Sequence, residues 1–158
     1  MSLSIASAVE ADAGLVLSLV RELAAYERLS HAVTATEEDV AASLFGERPE
    51  AEVRIARWAS EPAGFALFFM NYSTFLGRRG IYLEDLFVRE ALRGRGIGRG
   101  LLADLARITL ERGCGRLEWA VLDWNETAIG FYKKLGATPM SDWTVFRLEG
   151  AALTRLAR

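Results

Sequence analysis

A chain of 158 residues, 51% apolar and 25% charged, has the length of one ordinary domain and the composition of a soluble globular protein. Its formal net charge of −2 supplies no basic field of the kind that nucleic acid requires. No apolar run reaches the length of a membrane span, no signal-peptide pattern opens the chain, and a single cysteine, Cys114, leaves no intramolecular disulfide, so a cytoplasmic protein is expected.

Leu3 to Val9 reads as a first strand, and Asp12 is placed to cap the helix that follows. That helix turns an apolar face of Leu15, Leu19, Leu23 and Tyr26, with Val16 and Val20 alongside, and ends near Leu29. His31, the only histidine, falls in a polar connection. Thr36 opens a second short helix with early acids in T-E-E-D-V-A-A-S-L. Val53 to Trp58 and Gly64 to Tyr72 read as strands, with a hairpin turn expected at Glu61, Pro62 and Gly64. Asn71 to Gly80 reads as a second connection.

Ile81 to Val88 is the central strand, and Glu84 and Asp85 stand side by side within it. Gly94, Gly96, Gly98 and Gly100 follow, alternating with Arg93, Arg95, Ile97 and Arg99. A helix then shows Ile97, Leu101, Leu105 and Ile108 at helical spacing and stops near Gly113 and Gly115. Leu117, Trp119 and Val121 alternate as a strand. Asp123-Trp124-Asn125 leads into a helix with Ile129, Tyr132 and Leu135, closed by Gly136. Trp143 to Leu148 reads as a last strand and Gly150 to Ala157 as a terminal helix. The order β-α-α-β-β-β-α-β-α-β, without repeat or linker, predicts one α/β domain over residues 1–158: a mixed central sheet with helices on both faces.

Strand, glycine turn and helix in succession form a phosphate-binding arrangement. Glycine lets the backbone approach a ligand, the first helical N–H groups point at it, and arginines add positive charge. A Walker A loop would need Gly-Lys-Ser/Thr, and no lysine is present. A Rossmann G-x-G-x-x-G/A fails from either Gly94 or Gly96, where Arg99 or Leu101 takes the last position.

Arg93-x-x-Gly96-x-Gly98 resembles the acetyl-CoA pyrophosphate loop of the GNAT N-acyltransferase superfamily. Arg21-Glu22-Leu23-Ala24-Ala25-Tyr26-Glu27, Ile81-Tyr82-Leu83-Glu84-Asp85, Asp123-Trp124-Asn125 and Phe131-Tyr132-Lys133 extend the resemblance over nearly the whole chain. It is similar to the diamine (spermidine/spermine) and thialysine N-acetyltransferases. Tyr72-Ser73-Thr74-Phe75 looks more like the thialysine branch's Ser-Thr-Trp than the polyamine branch's Asp-Pro-Trp, and the segment from Gly136 to Trp143 is shorter than the family's.

The resemblance implies the GNAT fold, acetyl-CoA as cosubstrate, a small-molecule amine as substrate, and a homodimer; no metal site is expected. It implies that Leu86, Phe87 and Val88 offer strand backbone to the pantetheine arm. Arg93, Gly94, Arg95, Gly96, Ile97, Gly98 and Arg99 would hold the pyrophosphate, with Asn125 and Lys134 as further cofactor contacts. Tyr132 would protonate the leaving thiolate. Tyr26, Glu27, Glu84, Asp85, Asp142 and Trp143 would line the amine pocket.

An amine attacks a thioester only when neutral, and an amine of pKa about 10.4 lies about 3.4 units, or roughly 4.6 kcal/mol, from that form at pH 7. The site must therefore take up a proton. Glu84, directly or through a water, is the expected base. Adjacent acids on a strand point to opposite faces, so one of Glu84 and Asp85 is expected on the core side. Each residue also has a plainer reading: Glu84 as a solvated acid, Tyr132 as a core aromatic, Asn125 as a helix cap, Cys114 as a structural thiol. Two other functions stay open from sequence: an acetyl-CoA-binding sensor subunit without turnover, and a protein side-chain acetyltransferase.

Overall fold

The computed structural model describes residues 2–158. They form two compact units, residues 2–120 and Val121–Arg158.

The first unit is a sheet of five strands in sequence order, β1 (Leu3–Ser7), β2 (Glu52–Trp58), β3 (Glu61–Ser73), β4 (Arg78–Val88) and β5 (Leu117–Trp119). The first four pair antiparallel, and β5 joins β4 in parallel. The helices of this unit are α1 (Ala13–Tyr26), α2 (Glu37–Phe45) and α3 (Ile97–Glu111). This is the mixed sheet flanked by helices expected from the sequence.

Strand alternation sorts the sheet into two faces. Val53, Ile55, Phe65 and Phe87 join Val16, Leu17, Leu19 and Leu23 of α1 and Val40 of α2 in one buried cluster. The opposite face meets α3. Arg54 of β2 forms a two-pronged pair with Asp104 (2.6 and 3.2 Å), and the guanidinium of Arg112 lies over the ring of Phe68 (5.7 Å). Ile97, Leu101, Leu102, Leu105 and Ile108 are buried at helical spacing, as predicted.

Local chemistry sets the helix ends. Thr36 caps α2 by accepting from the Asp39 N–H (3.1 Å), while the Asp39 carboxylate accepts from the Thr36 N–H (2.9 Å). Asp12 does not cap α1 through its side chain. It accepts from the Val9 N–H (2.9 Å) and faces Arg57 (3.4 Å), closing the turn before the helix. At the far end of α1, Arg28 takes φ +63°, with Arg28 N–H to Ala25 O (3.1 Å) and Leu29 N–H to Ala24 O (2.7 Å). That is a Schellman turn built without glycine.

Two connections differ from expectation. The β2–β3 hairpin turns at Ala59 and Ser60, both left-handed (φ +50° and +71°), between the paired Trp58 and Glu61. Two successive positive φ values follow the right-handed twist of the flanking strands, usually with Asn-Gly. Pro62 and Gly64 lie within β3, beside the register shift at Ala56/Arg57. Asn71 to Gly80 is not a loop: Asn71 pairs with Gly80 and Ser73 with Arg78, leaving only residues 74–77 as the turn.

The second unit holds α4 (Glu126–Lys134) and α5 (Gly150–Leu156). The strand expected at Trp143 to Leu148 does not form. Among the described residues nothing pairs with that segment, and the Trp143 N–H turns back to Met140 O (3.2 Å). Trp143 and Phe146 are 77% and 92% exposed. Aromatic and β-branched residues suit a strand, but only a neighbour's ladder makes one.

Candidate active site

Leu67 of β3 stands opposite Asp85, and Phe68, the next residue, stands opposite Leu83. Glu84 is therefore an extra residue in β4, a β-bulge. Tyr82, whose ring lies 5.4 Å from that of Phe69, is on the α1 side of the sheet, and so is Phe87, 6.5 Å from Tyr26. An even-numbered and an odd-numbered residue of one strand thus share a face. The bulge makes the change of parity, and Glu84 and Asp85 both line one cavity on that face. This corrects the expectation that adjacent acids must diverge.

The cavity is about 320 Å³ and opens to solvent. Val20, Leu23 and Ala24 of α1 line it with Leu29, Ala32 and Val33, which the Schellman turn brings round to the same side. Glu27 adds a third carboxylate from the end of α1. Arg89, just after β4, holds Glu22 of α1 through two hydrogen bonds (3.0 and 2.9 Å) and also donates to Pro62 O (3.0 Å). That clamp ties α1 to the end of the strand carrying the acids.

The three carboxylates are not equivalent. Glu84 is exposed, while Glu27 and Asp85 are partly buried. Burial first, then the charges of Glu84 and Glu27, push the Asp85 carboxyl up to about 6. Burial also raises Glu27. Three like charges beside apolar walls make a site for a cation.

The glycine turn follows β4 directly. Gly94 and Gly96 take φ +79° and +77°, which side chains adopt only with strain. A Cβ built on either would meet no protein atom within 4 Å, and one on Gly98 only Val88 Cγ2 at 3.8 Å. The left-handed angles account for glycine at 94 and 96, and the space in front of the turn is open. The first backbone bond of α3 runs from Gly100 N–H to Gly96 O (2.9 Å), so the amides of Ile97, Gly98 and Arg99 precede the helical ladder. Donors at a helix start with an open approach fit a pyrophosphate.

The arginines of the turn divide. Arg93 donates from Nε to Val88 O (2.9 Å) and stacks over Tyr26 (4.5 Å) and Phe87 (5.6 Å). Arg95 lies over Trp58 (5.4 Å), and Arg99 is exposed. Leu86, Phe87 and Val88 pair with β3 through Ala66, Phe65 and Gly64. The pairing of β4 with β5 covers only Ile81 to Leu83. The other edge of Leu86 to Val88 thus has no strand beside it among the described residues.

Asn125, Tyr132, Lys134, Asp142 and Trp143 belong to the second unit. Asn125 caps α4, its Oδ1 accepting from the Ala128 N–H (3.2 Å). Tyr132 is half-buried on α4 with its ring 5.6 Å from Phe131. Lys134, Asp142 and Trp143 are exposed. Sequence reasoning missed the apolar half of the cavity. Leu23 carried a helix-face signal, whereas Leu29, Ala32 and Val33 depend on a turn at Arg28 that no glycine marks.

Residues 18–137 match the Acetyltransferase (GNAT) family. The chain is 42% identical over 164 residues to a thialysine N-epsilon-acetyltransferase of Bos taurus, covering 97% of this chain and 96% of that protein. It is 34% identical over 191 residues to an L-ornithine N5-acetyltransferase of Arabidopsis thaliana, covering 92% and 84%. Among solved structures, an integron cassette protein from the mobile metagenome of V. cholerae superposes with a TM-score of 0.83 at 31% identity, over 100% of this chain and 99% of that one. The protein is an enzyme of the GNAT acetyltransferase family.

Proposed function

We propose that the enzyme moves the acetyl group of acetyl-CoA to the primary amine of a small cationic substrate, of the thialysine, lysine-like or short diamine kind. The observation that carries this reading is the gathering of Glu27, Glu84 and Asp85 around one partly apolar cavity. Arg93 links that cavity to the glycine turn by stacking on Tyr26, the neighbour of Glu27. The names of the thialysine and ornithine acetyltransferase relatives agree with a cationic amine.

Bound acetyl-CoA would supply the activated acetyl group as a thioester. The amides of Ile97, Gly98 and Arg99, with the Arg93 to Arg99 turn, would hold its pyrophosphate, and the open edge of Leu86, Phe87 and Val88 would take its pantetheine arm. Asn125 and Lys134 are proposed as further contacts. The carboxylates hold the ammonium and accept its proton, and Tyr132 returns a proton to the departing thiolate. Asp142 and Trp143 are assigned to the amine pocket on the resemblance alone. Residues 1–158 act as one domain in this reading, and the family match runs through residue 120 without a break. A cytoplasmic homodimer completes the reading.

Substrate choice is the direct test. A panel of lysine analogues, ornithine, short diamines and spermine, followed by release of free thiol, is expected to give the highest kcat/KM for a lysine-like amine or short diamine. Turnover led by spermine or spermidine would place the enzyme with the polyamine acetyltransferases. No turnover of any cationic amine would remove the proposal.

Gly98→Val tests the cofactor site. Its φ is not positive and its Cβ has room, so the fold should survive while the new side chain obstructs the approach to the helix start. Calorimetric titration should show acetyl-CoA affinity lowered by about tenfold or more, which corresponds to about 1.4 kcal/mol. Wild-type affinity would move the pyrophosphate elsewhere.

Tyr132→Phe keeps the ring and removes the hydroxyl. The expected result is a kcat lowered by roughly 10²-fold, within the range for one acid–base group, with acetyl-CoA binding unchanged. An unchanged kcat would leave Tyr132 as an aromatic of the helix alone.

A further inference from the structure

The need to take up the ammonium's proton points from sequence to Glu84, but the bulge places a second carboxylate in the same cavity under different conditions. Glu84 is the extra residue and is exposed. Asp85 is back in register opposite Leu67, partly buried, and among the described residues no group donates a hydrogen bond to its carboxylate. Around that carboxylate, α1 presents Val20, Leu23 and Ala24, and the segment after it presents Leu29, Ala32 and Val33. The ionisable groups lining the cavity with it are Glu27, at the end of α1, and Glu84, on its own strand. No cation lines the cavity among the described residues, so the negative charge of Asp85 is opposed from two sides and poorly solvated on the others.

We propose that Asp85 is the residue that takes the proton of the incoming ammonium, leaving Glu84 and Glu27 to hold the substrate's charge at the mouth of the cavity. The inference rests on the function proposed above and divides the labour within it. Burial and the two neighbouring acids hold Asp85 near 6, about two units above an ordinary aspartate of about 3.9, and so closer to the amine it must deprotonate. At pH 7 the group is still mostly ionised and ready to accept. Two N–H bonds of the ammonium break in all: the first proton goes to Asp85, where an O–H bond forms and leaves the neutral amine. The N–C bond to the acetyl group forms, the second N–H proton leaves the tetrahedral nitrogen for solvent, the C–S bond breaks, and the thiolate takes a proton from Tyr132. Solvent then restores both side chains.

The experiment compares two substrates in three variants. One is a short alkyl diamine, cationic at pH 7, and the other a weakly basic fluorinated alkylamine that is already neutral there. A base is needed only for the first. The wild-type kcat/KM for the diamine should fall as pH drops through about 6, because Asp85 must be deprotonated to act. Asp85→Asn should lose roughly 10²-fold in kcat on the diamine, less than about tenfold on the fluorinated amine, and the fall near pH 6. Glu84→Gln should chiefly raise KM for the diamine and keep the fall, moved to lower pH because one opposing charge is gone. Asp85→Glu should recover the fall, which keeps the test valid if Asp85→Asn does not fold or no longer binds acetyl-CoA by calorimetry.

Equal loss on both amines in Asp85→Asn would make Asp85 structural and overturn the inference. So would a diamine kcat in that variant within about threefold of wild type, or loss of the fall in Glu84→Gln with its retention in Asp85→Asn. A wild-type enzyme that acetylates neither amine would instead contradict the proposed function, and the inference would go with it.

Discussion

One extra residue in β4 organises the candidate site. Without Glu84 out of register, Tyr82 and Glu84 would face one helix layer while Asp85 and Phe87 faced the other. With the bulge, all four come to the α1 side, and the aromatic pair encloses the acidic pair along the strand. Beyond Leu83 the strand also parts company with β5, so the same stretch has acids on one face and, among the described residues, no strand along one edge. The Arg89–Glu22 clamp then fixes the distance at which α1, and with it Glu27, stands from the acids.

The glycine turn is the second half of the arrangement, and its geometry depends on the first. Val88 ends β4, its carbonyl accepts from Arg93, and Arg93 in turn covers Tyr26 and Phe87. The glycine turn and the wall of the acidic cavity therefore share a guanidinium. Positive φ at Gly94 and Gly96 directs the chain into α3 with its first amides open. The left-handed backbone itself calls for glycine at these two positions, and the space in front of them is open rather than filled by the protein.

Much of this was legible in the sequence. The central strand, the Arg93 to Gly100 turn, the face of α3 and the Thr36 and Asn125 caps all carry strong local signals, and the structure has them in place. What was not legible depends on pairs of segments. A bulge belongs to the register between β3 and β4, and no residue within Ile81 to Val88 announces it. The Ala59-Ser60 turn and the Arg28 turn put ordinary residues into left-handed backbone, because the flanking strands and helix over-determine them. Trp143 to Leu148 failed in the opposite sense, with strand-like residues and no strand to join. Of the candidate site, the acids were named from the sequence, and the bulge gives them a geometry different from the one expected. Where Tyr132 acts was inferred from the resemblance, since its helix face suits a core aromatic equally well.

The central claim is that the bulge holds Asp85 and Glu84 in one partly buried cavity as unequal acids. Carbon-13 NMR titration of the aspartate and glutamate carboxyls of the acetyl-CoA-free enzyme tests it most directly. Asp85 should titrate near 6, and its midpoint should drop in Glu84→Gln and, by less, in Glu27→Gln. A midpoint close to the ordinary aspartate value of about 3.9, unmoved by either substitution, would show that the two acids do not share a cavity.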